Sequence, residues 1–137
     1  MTKEQKDLLL KDLCSRLPYG VKIHAEYIDT DVYVEKVGVL SMIDSDDTVI
    51  AFTCDDANCY NYVAIHEVKP YLLPLSSMTG EQRKEYTSLL DHIMTIEGDV
   101  CDVCTVESIN WLLENHFDVN NLIPLGLAKD ATGLNIY

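Results

Sequence analysis

The stretch Val21-Lys22-Ile23-His24-Ala25-Glu26-Tyr27 alternates apolar with polar residues along its whole length. An apolar residue at every second position is typical of a strand that buries one of its two faces. The pattern predicts a strand with the odd-numbered residues from Val21 to Tyr27 facing the core. His24 belongs to the other face, and we expect it to point outward.

Three further runs of β-forming residues follow at 32–43, 48–54 and 60–68, separated by polar turns. In the first of them the apolar phase slips near Gly38, which indicates a bulge or a bend at this glycine. Four short strands with regular turns predict a small curled antiparallel sheet over residues 21–68. We favour an SH3-like barrel for its shape, and a flatter sheet with helices on one face is the alternative.

A helix is predicted before the sheet, over residues 2–17. Thr2 and Gln5 fit a capping box, in which a hydroxyl and a side-chain amide satisfy backbone N–H groups at a helix start. Leucines recur at every fourth residue in the second half of the segment, which is typical of a helix with one apolar face. Pro18 and Gly20 then end it, because proline cannot continue a helix.

Two more helices are predicted after the sheet, within residues 79–118. Thr79 and Gln82 repeat the capping box, and Thr105 is expected to cap the second of these helices. The tail, residues 119–137, is apolar enough that we expect it to dock on the rest of the chain. The residues of the last helix that we expect to face inward are Val106, Ile109, Leu112 and Leu113.

Length and composition fit a single α+β domain over residues 1–137, with one N-terminal helix and two C-terminal helices. An apolar content of 47% argues against disorder. No apolar run approaches the ~20 residues of a membrane-spanning helix, so we expect no membrane contact. The N-terminal segment is charged and lacks the apolar centre of a signal peptide, which predicts a cytoplasmic location.

The chain is strongly acidic, with 10 Lys and Arg residues, 23 Asp and Glu residues and a formal net charge of −13. Nucleic-acid binding depends on cations that neutralise phosphates, so direct binding to nucleic acid is not expected. A dispersed acidic surface usually serves solubility. The alternative is that the carboxylates imitate phosphates, and that the chain is a decoy for a DNA-binding protein.

Five cysteines are present, namely Cys14, Cys54, Cys59, Cys101 and Cys104. An odd number without a signal peptide is typical of reduced thiols, so we expect no cofactor. The pairs Cys54/Cys59 and Cys101/Cys104 still offer four thiolates at a spacing that suits Zn²⁺, which makes a small structural zinc protein one alternative. Neighbouring carboxylates disfavour thiolate formation and argue against this site.

No cluster in the sequence has the residue types and spacing of a known catalytic apparatus. A cysteine-dependent enzyme remains an alternative, and it requires a pocket with one cysteine within hydrogen-bond reach of a histidine. The four histidines do not pair at metal-binding spacing. We therefore predict no catalytic residues and no metal ligands.

Tyrosine dominates the aromatic residues, with eight tyrosines against two phenylalanines. A ring with a polar tip suits protein interfaces, so Tyr19, Tyr60, Tyr62 and Tyr71 are candidates for a groove that binds a peptide. The alternative is that these rings complete a small core. The function we predict is a non-enzymatic protein–protein interaction module, which binds an unknown protein or a second copy of itself.

Four sequence segments resemble segments of a group of small proteins from gut Bacteroidetes and their prophages and mobile elements. No function is established for this group. The four segments are LPYGVK (17–22), VKPYLLPLSSMT (68–79), WLLENHFD (111–118) and LIPLGLA (122–128). The resemblance spans nearly the whole chain. It implies a bacterial or phage origin and a cytoplasmic setting, and it brings no activity and no site residues.

Overall fold

The structure of the chain, a computed structural model, describes residues 1–44, 49–54, 60–94 and 102–137. Within these ranges it has three α-helices and six strands, so the predicted α+β class is confirmed. The helices are α1 (Lys3–Arg16), α2 (Gly80–Met94) and α3 (Asp102–Glu114). The strands are β1 (Lys22–Asp29), β2 (Val32–Asp44), β3 (Val49–Thr53), β4 (Tyr60–Ala64), β5 (Val68–Leu72) and β6 (Lys129–Asp130).

The six strands form one mixed sheet in the order β4-β3-β2-β1-β5-β6. Strands β1 to β4 pair with their sequence neighbours in antiparallel fashion, and β5 pairs antiparallel with the other side of β1. The tail adds β6 parallel to β5, so the sheet is not purely antiparallel as predicted. The predicted strand 60–68 is interrupted by a short 3-10 helix, Ile65–Glu67, which separates β4 from β5.

This short connection curls the sheet. In a flat sheet β4 and β5 would be four strand spacings apart, about 19 Å at ~4.8 Å each. The three residues between the strands allow four Cα-to-Cα steps, which span at most about 14 Å. The sheet must therefore bend until β4 approaches β1 and β5. It is not closed into a barrel, so the SH3-like barrel stays unconfirmed.

The sequence predicted a bulge or a bend at Gly38, but strand β2 has its bulge at Ser41. The register against β3 shifts between Leu40 and Met42, so Ser41 is the extra residue. The Ser41 hydroxyl donates a hydrogen bond to a β3 carbonyl oxygen at 3.0 Å. Because the bulge changes the phase of the strand, both Leu40 and Ile43 contribute to the core.

Gly38 has a different role, which is to let β3 approach closely. A Cβ atom at Gly38 would lie 2.5 Å from the carbonyl oxygen of Thr53 and 2.6 Å from Cδ2 of Phe52. No side chain fits at that range without movement of the β3 backbone. Packing between two strands, rather than a bulge, therefore explains this glycine.

Helix α1 covers one face of the sheet, which we call the inner face, and closes the main core. Its predicted capping box is present: the Gln5 N–H donates to Thr2 Oγ1 at 3.2 Å and the Thr2 N–H donates to Gln5 Oε1 at 2.9 Å. Leu9 and Leu13 of α1 are fully buried. The sheet residues in the same core include Val21, Ile23, Ala25, Leu40, Ile50, Phe52 and Val63.

A buried ion pair at the end of α1 ties this helix to the segment after α3. Arg16 and Asp12 are both fully buried, and Arg16 Nε donates to Asp12 Oδ2 at 2.7 Å. Arg16 Nη2 also donates to the carbonyl oxygen of Phe117 at 2.7 Å. Asn120 Nδ2 donates to Asp12 Oδ1 at 2.8 Å. Buried charges that are paired in this way fix the relative position of the segments they join.

The starts of α2 and α3 differ in how well the sequence predicted them. At α2 the capping box is present, with the Gln82 N–H donating to Thr79 Oγ1 at 3.2 Å and the Thr79 N–H to Gln82 Oε1 at 2.9 Å. Helix α3 begins at Asp102, so the prediction that Thr105 caps it is wrong. None of the helices within the described ranges is long and apolar enough to cross a membrane.

The inward side of α3 is rotated from the predicted one. Ser108 and Leu112, one i, i+4 step apart, are buried together with Leu113. Val106 and Ile109 are exposed, contrary to prediction. The apolar pattern of the sequence did not predict this buried side of α3, because Ser108, which belongs to it, is polar. Trp111 lies between the rings of Tyr86 and Phe117, with centroid distances of 5.6 and 5.8 Å.

The tail packs along β5. Leu122 and Leu127 are buried, and the Ala131 N–H donates to the carbonyl oxygen of Leu72 at 2.8 Å. The Tyr137 hydroxyl donates to the carbonyl oxygen of Tyr71 at 2.7 Å, next to β6. Burial raises the pKa of Tyr137 to about 12, so its hydroxyl keeps the proton that this hydrogen bond requires.

Candidate interaction surface

The face of the sheet opposite α1, which we call the outer face, exposes large side chains from β2 and β4. Met42, Ala51 and Tyr62 are register partners across β2, β3 and β4, so their side chains share this face. Ala51 is fully buried between its larger neighbours. The exposed residues, which we call the outer patch, are Val37, Met42, Tyr60 and Tyr62.

Two of the four tyrosines proposed from the sequence meet in this patch. Tyr60 and Tyr62 are 58% and 61% exposed, and their ring centroids lie 6.5 Å apart. Tyr71 is buried in β5, and Tyr19 is half-buried in the 3-10 helix Leu17–Tyr19. The predicted four-tyrosine groove is therefore reduced to one exposed pair on an edge strand.

The hairpin between β1 and β2 exposes a second apolar group. Thr30 and Asp31 form its two-residue turn, and both have positive φ angles, of 45° and 67°. Such turns match the twist of a hairpin. Ile28 and Tyr33 form the second register pair from the turn, and both are exposed together with Val32.

His24 lies on the outer face, as its position in the strand predicts, but it is only 2% exposed. The predicted outward direction of His24 is therefore correct, but its side chain is covered by neighbours on that face. Its Nε2 lies 2.6 Å from Glu35 Oε1 and its Nδ1 lies 3.2 Å from Glu26 Oε1. The ring of Tyr71 meets the imidazole edge-on at 6.1 Å. Strand β5 extends the sheet beyond β1 and supplies this cover, which one strand's alternation does not reveal.

Three groups in and around this cluster have shifted pKa values. The hydrogen bond and charge of His24 lower the pKa of Glu35 below its usual value. Desolvation, followed by the charges of Glu35 and Glu26, raises the pKa of Tyr71. Desolvation and the same two carboxylates raise the pKa of Tyr33. The cluster therefore favours an ionised Glu35 and neutral phenols at Tyr33 and Tyr71.

Among the described side chains, His24, Glu26 and Glu35 are the group that could hold a metal ion, since one ligand atom of each lies within 4.8 Å of the others. Both imidazole nitrogens already face a carboxylate oxygen, so neither is open to a metal ion unless that contact is broken. Lys129 Nζ adds a second cation 3.6 Å from Glu26 Oε1. We therefore interpret the cluster as an internal ion-pair network that joins β1, β2 and β6.

The cysteine predictions fall largely outside the described part of the chain. Cys59 and Cys101 are not in it, and Cys104 is described only as a backbone position of α3. Cys54 is half-buried, and its Sγ accepts a hydrogen bond from Asn61 Nδ2 at 3.6 Å. Its observed partner is an amide rather than a histidine. Cys14 is exposed on α1.

The curl of the sheet leaves a cleft of about 560 Å³ between the end of β1 and the edge of β4. It is lined by residues 27–29 of β1, by residues 61–64 of β4 and by Val49 and Glu67. A second cleft of about 400 Å³ continues past Glu67 toward Tyr33 and His66. Sequence patterns gave no sign of either cleft, because they depend on how distant strands meet.

Comparison with known proteins adds no assignment, because the chain matches no family model, no curated protein and no solved structure. Any functional argument therefore rests on the geometry of the described residues.

Proposed function

We propose that this chain is a non-enzymatic protein–protein interaction module, and that its partner binds the outer patch. The exposure of Tyr60 and Tyr62 side by side on an edge strand carries the proposal. Tyrosine is enriched at protein interfaces because its ring supplies contact area and its hydroxyl supplies a hydrogen bond. Val37 and Met42 extend the apolar area across β2, and exposed apolar patches on a sheet often mark interaction sites.

Charge favours a basic partner over a second copy of the chain. Two copies, each with a formal net charge of −13, repel one another, whereas Lys and Arg side chains around an apolar centre are attracted. Self-association, which the sequence left open, is therefore the less favoured form of the proposal. The expected bacterial or phage origin and cytoplasmic setting remain predictions.

The phosphate-mimicking decoy is the second candidate, and the outer face gives it less support. Such a decoy needs uncompensated carboxylates in a row, whereas Glu26 and Glu35 are paired with His24 and Lys129. The two carboxylates between the apolar areas of the outer face therefore already have partners within the chain. An apolar contact with basic flanks fits this surface better.

A peptide-display selection tests the proposal. A fully random library is selected on the wild-type protein, and the enriched peptides are measured against a Tyr60→Ser, Tyr62→Ser variant. We expect binding to fall at least ten-fold, with enrichment of aromatic, aliphatic and basic residues. Leu125→Ser, which alters an exposed leucine of the tail, is the matched control and should bind as wild type does. Peptides that bind both variants equally well would contradict the proposal.

A further inference from the structure

Two strand edges face each other across the 560 Å³ cleft. Strand β4 is the last strand of the sheet, and in the ranges described no strand pairs with its free edge. Strand β1 pairs with β5 only from Ile23 to Ala25, so its edge beyond Ala25 is also free of a strand partner within those ranges. The bend imposed by the short Ile65–Glu67 connection brings the two edges together.

The backbone of β4, and not only its side chains, lines this cleft. Four consecutive residues, 61–64, reach it, whereas side chains alone would reach it at every second position. The Ala64 N–H donates to Glu67 Oε2 at 2.8 Å, so it points away from β3. Strand N–H groups alternate in direction, and those of Tyr62 and Tyr60 therefore also point away from β3.

The charge of the cleft defines what can enter it. Asp29 and Glu67, two acidic residues, line the main cleft. Neither Lys nor Arg is found among the described residues that line the two clefts. The free backbone groups of β4 can hydrogen-bond to an extended segment. The acidic lining favours basic side chains on that segment.

We propose that the cleft binds an extended basic segment of a partner protein by strand addition to β4. Its backbone hydrogen-bonds to the N–H and C=O groups of Tyr60 and Tyr62, and its Lys or Arg side chains lie near Asp29 and Glu67. That the partner is a protein rests on the proposed function; what is added here is the mode of binding. The added strand occupies the gap between β4 and β1 in the curled sheet.

The test separates the backbone of Tyr62 from its ring. Eight-residue peptides with Lys or Arg at alternate positions and random residues between them are displayed and selected on the full chain. The affinity of the best binder is then measured for wild type, Tyr62→Ala and Tyr62→Pro. Both variants lose the ring, but only proline lacks the N–H, and an outward N–H on an edge strand takes no part in the β3 ladder.

Strand addition predicts at least ten-fold weaker binding to Tyr62→Pro than to Tyr62→Ala. It also predicts that the peptide binds Asp29→Asn at least three-fold more weakly than wild type, and that this binding depends less on salt concentration. If Tyr62→Pro does not fold, N-methylation of alternate peptide amides replaces it. One of the two methylation frames should then abolish binding while the other leaves it intact.

The outcomes distinguish the two proposals. Equal losses for Tyr62→Ala and Tyr62→Pro, or equal effects of both methylation frames, would overturn strand addition and leave the outer patch as the binding site. The same conclusion follows if the alternating library yields no binder while the random library does. Binding that neither variant weakens would overturn both proposals.

Discussion

Among the glycines that the structure describes, Gly38 has the least space for a side chain, since a Cβ atom there would meet the Thr53 carbonyl oxygen at 2.5 Å. We expect Gly38→Ala to lower the free energy of unfolding by about 1–3 kcal/mol, the usual cost of overpacking. Urea denaturation measures this change. Gly80→Ala is the matched control, because nothing lies within 4 Å of its Cβ position, and it should stay within about 0.5 kcal/mol of wild type. A Gly38→Ala protein as stable as wild type would contradict the strand packing described.

His116 is a second residue with a measurable consequence. Its ring stacks on Tyr137 with centroids 3.7 Å apart, and Nδ1 is buried with no hydrogen-bond partner among the described residues. Burial, aided by the charge of Arg16, lowers the pKa of His116 to about 4. The unfolded chain, with a histidine pKa of about 6.5, therefore binds more protons than the folded chain between these two values.

This difference predicts that stability from His116 is complete above about pH 6.5 and is lost as the pH falls toward about 4. His116→Asn should remove that part of the slope, and asparagine tolerates the positive φ of 59° at this position. Urea denaturation of both proteins across this window measures the effect. Glu35 also has a lowered pKa, so the difference between the two proteins isolates His116. Parallel pH profiles would contradict the assignment.

At this scale the sequence placed His24 on the correct face but not in the correct environment. Strand alternation fixes the side on which a residue points. Its burial depends on Tyr71, Glu26 and Glu35, which come from other strands or later positions. The outer patch was half predicted for a similar reason. Tyr60 and Tyr62 stand out in the sequence, whereas Met42 reaches this face only through the bulge at Ser41.

Helix starts are the feature of single elements that the sequence predicted best. The capping boxes at Thr2 and Thr79 formed because each needs only residues three positions apart. The start of α3 was missed, since Thr105 lacks this reciprocal partner pattern and the helix extends back to Asp102. A helix start was therefore predictable where its cap depends only on residues within one turn of the helix.

Removal of the Thr79 cap of α2 should have a measurable effect on stability. Thr79→Ala removes the acceptor for the Gln82 N–H and should lower the free energy of unfolding by about 1 kcal/mol. Thr87→Ala is the matched control in the same helix. Its hydroxyl donates to the Arg83 carbonyl oxygen on the exposed surface, and alanine is the better helix former, so stability should not fall. Circular dichroism during urea denaturation measures both, and equal losses would contradict the capping assignment.

The shape of the whole molecule follows from the three residues that join β4 to β5. They prevent a flat sheet, and they leave the free edges of β4 and β1 on either side of a cleft. The sequence predicted a small curled sheet from its short strands and turns. Its open side was not predictable, because the pairing of β5 with β1 and the addition of β6 are contacts between distant segments.

In both proposals a protein partner contacts β4 or the outer patch beside it. The most direct test follows the amide resonances of the full chain during titration with the tightest peptide from the random library. We expect the largest chemical-shift changes at residues 60–64 of β4 and at Val37 and Met42, with α2 and α3 little affected. Changes concentrated on α2 and α3, with β4 unchanged, would contradict both proposals.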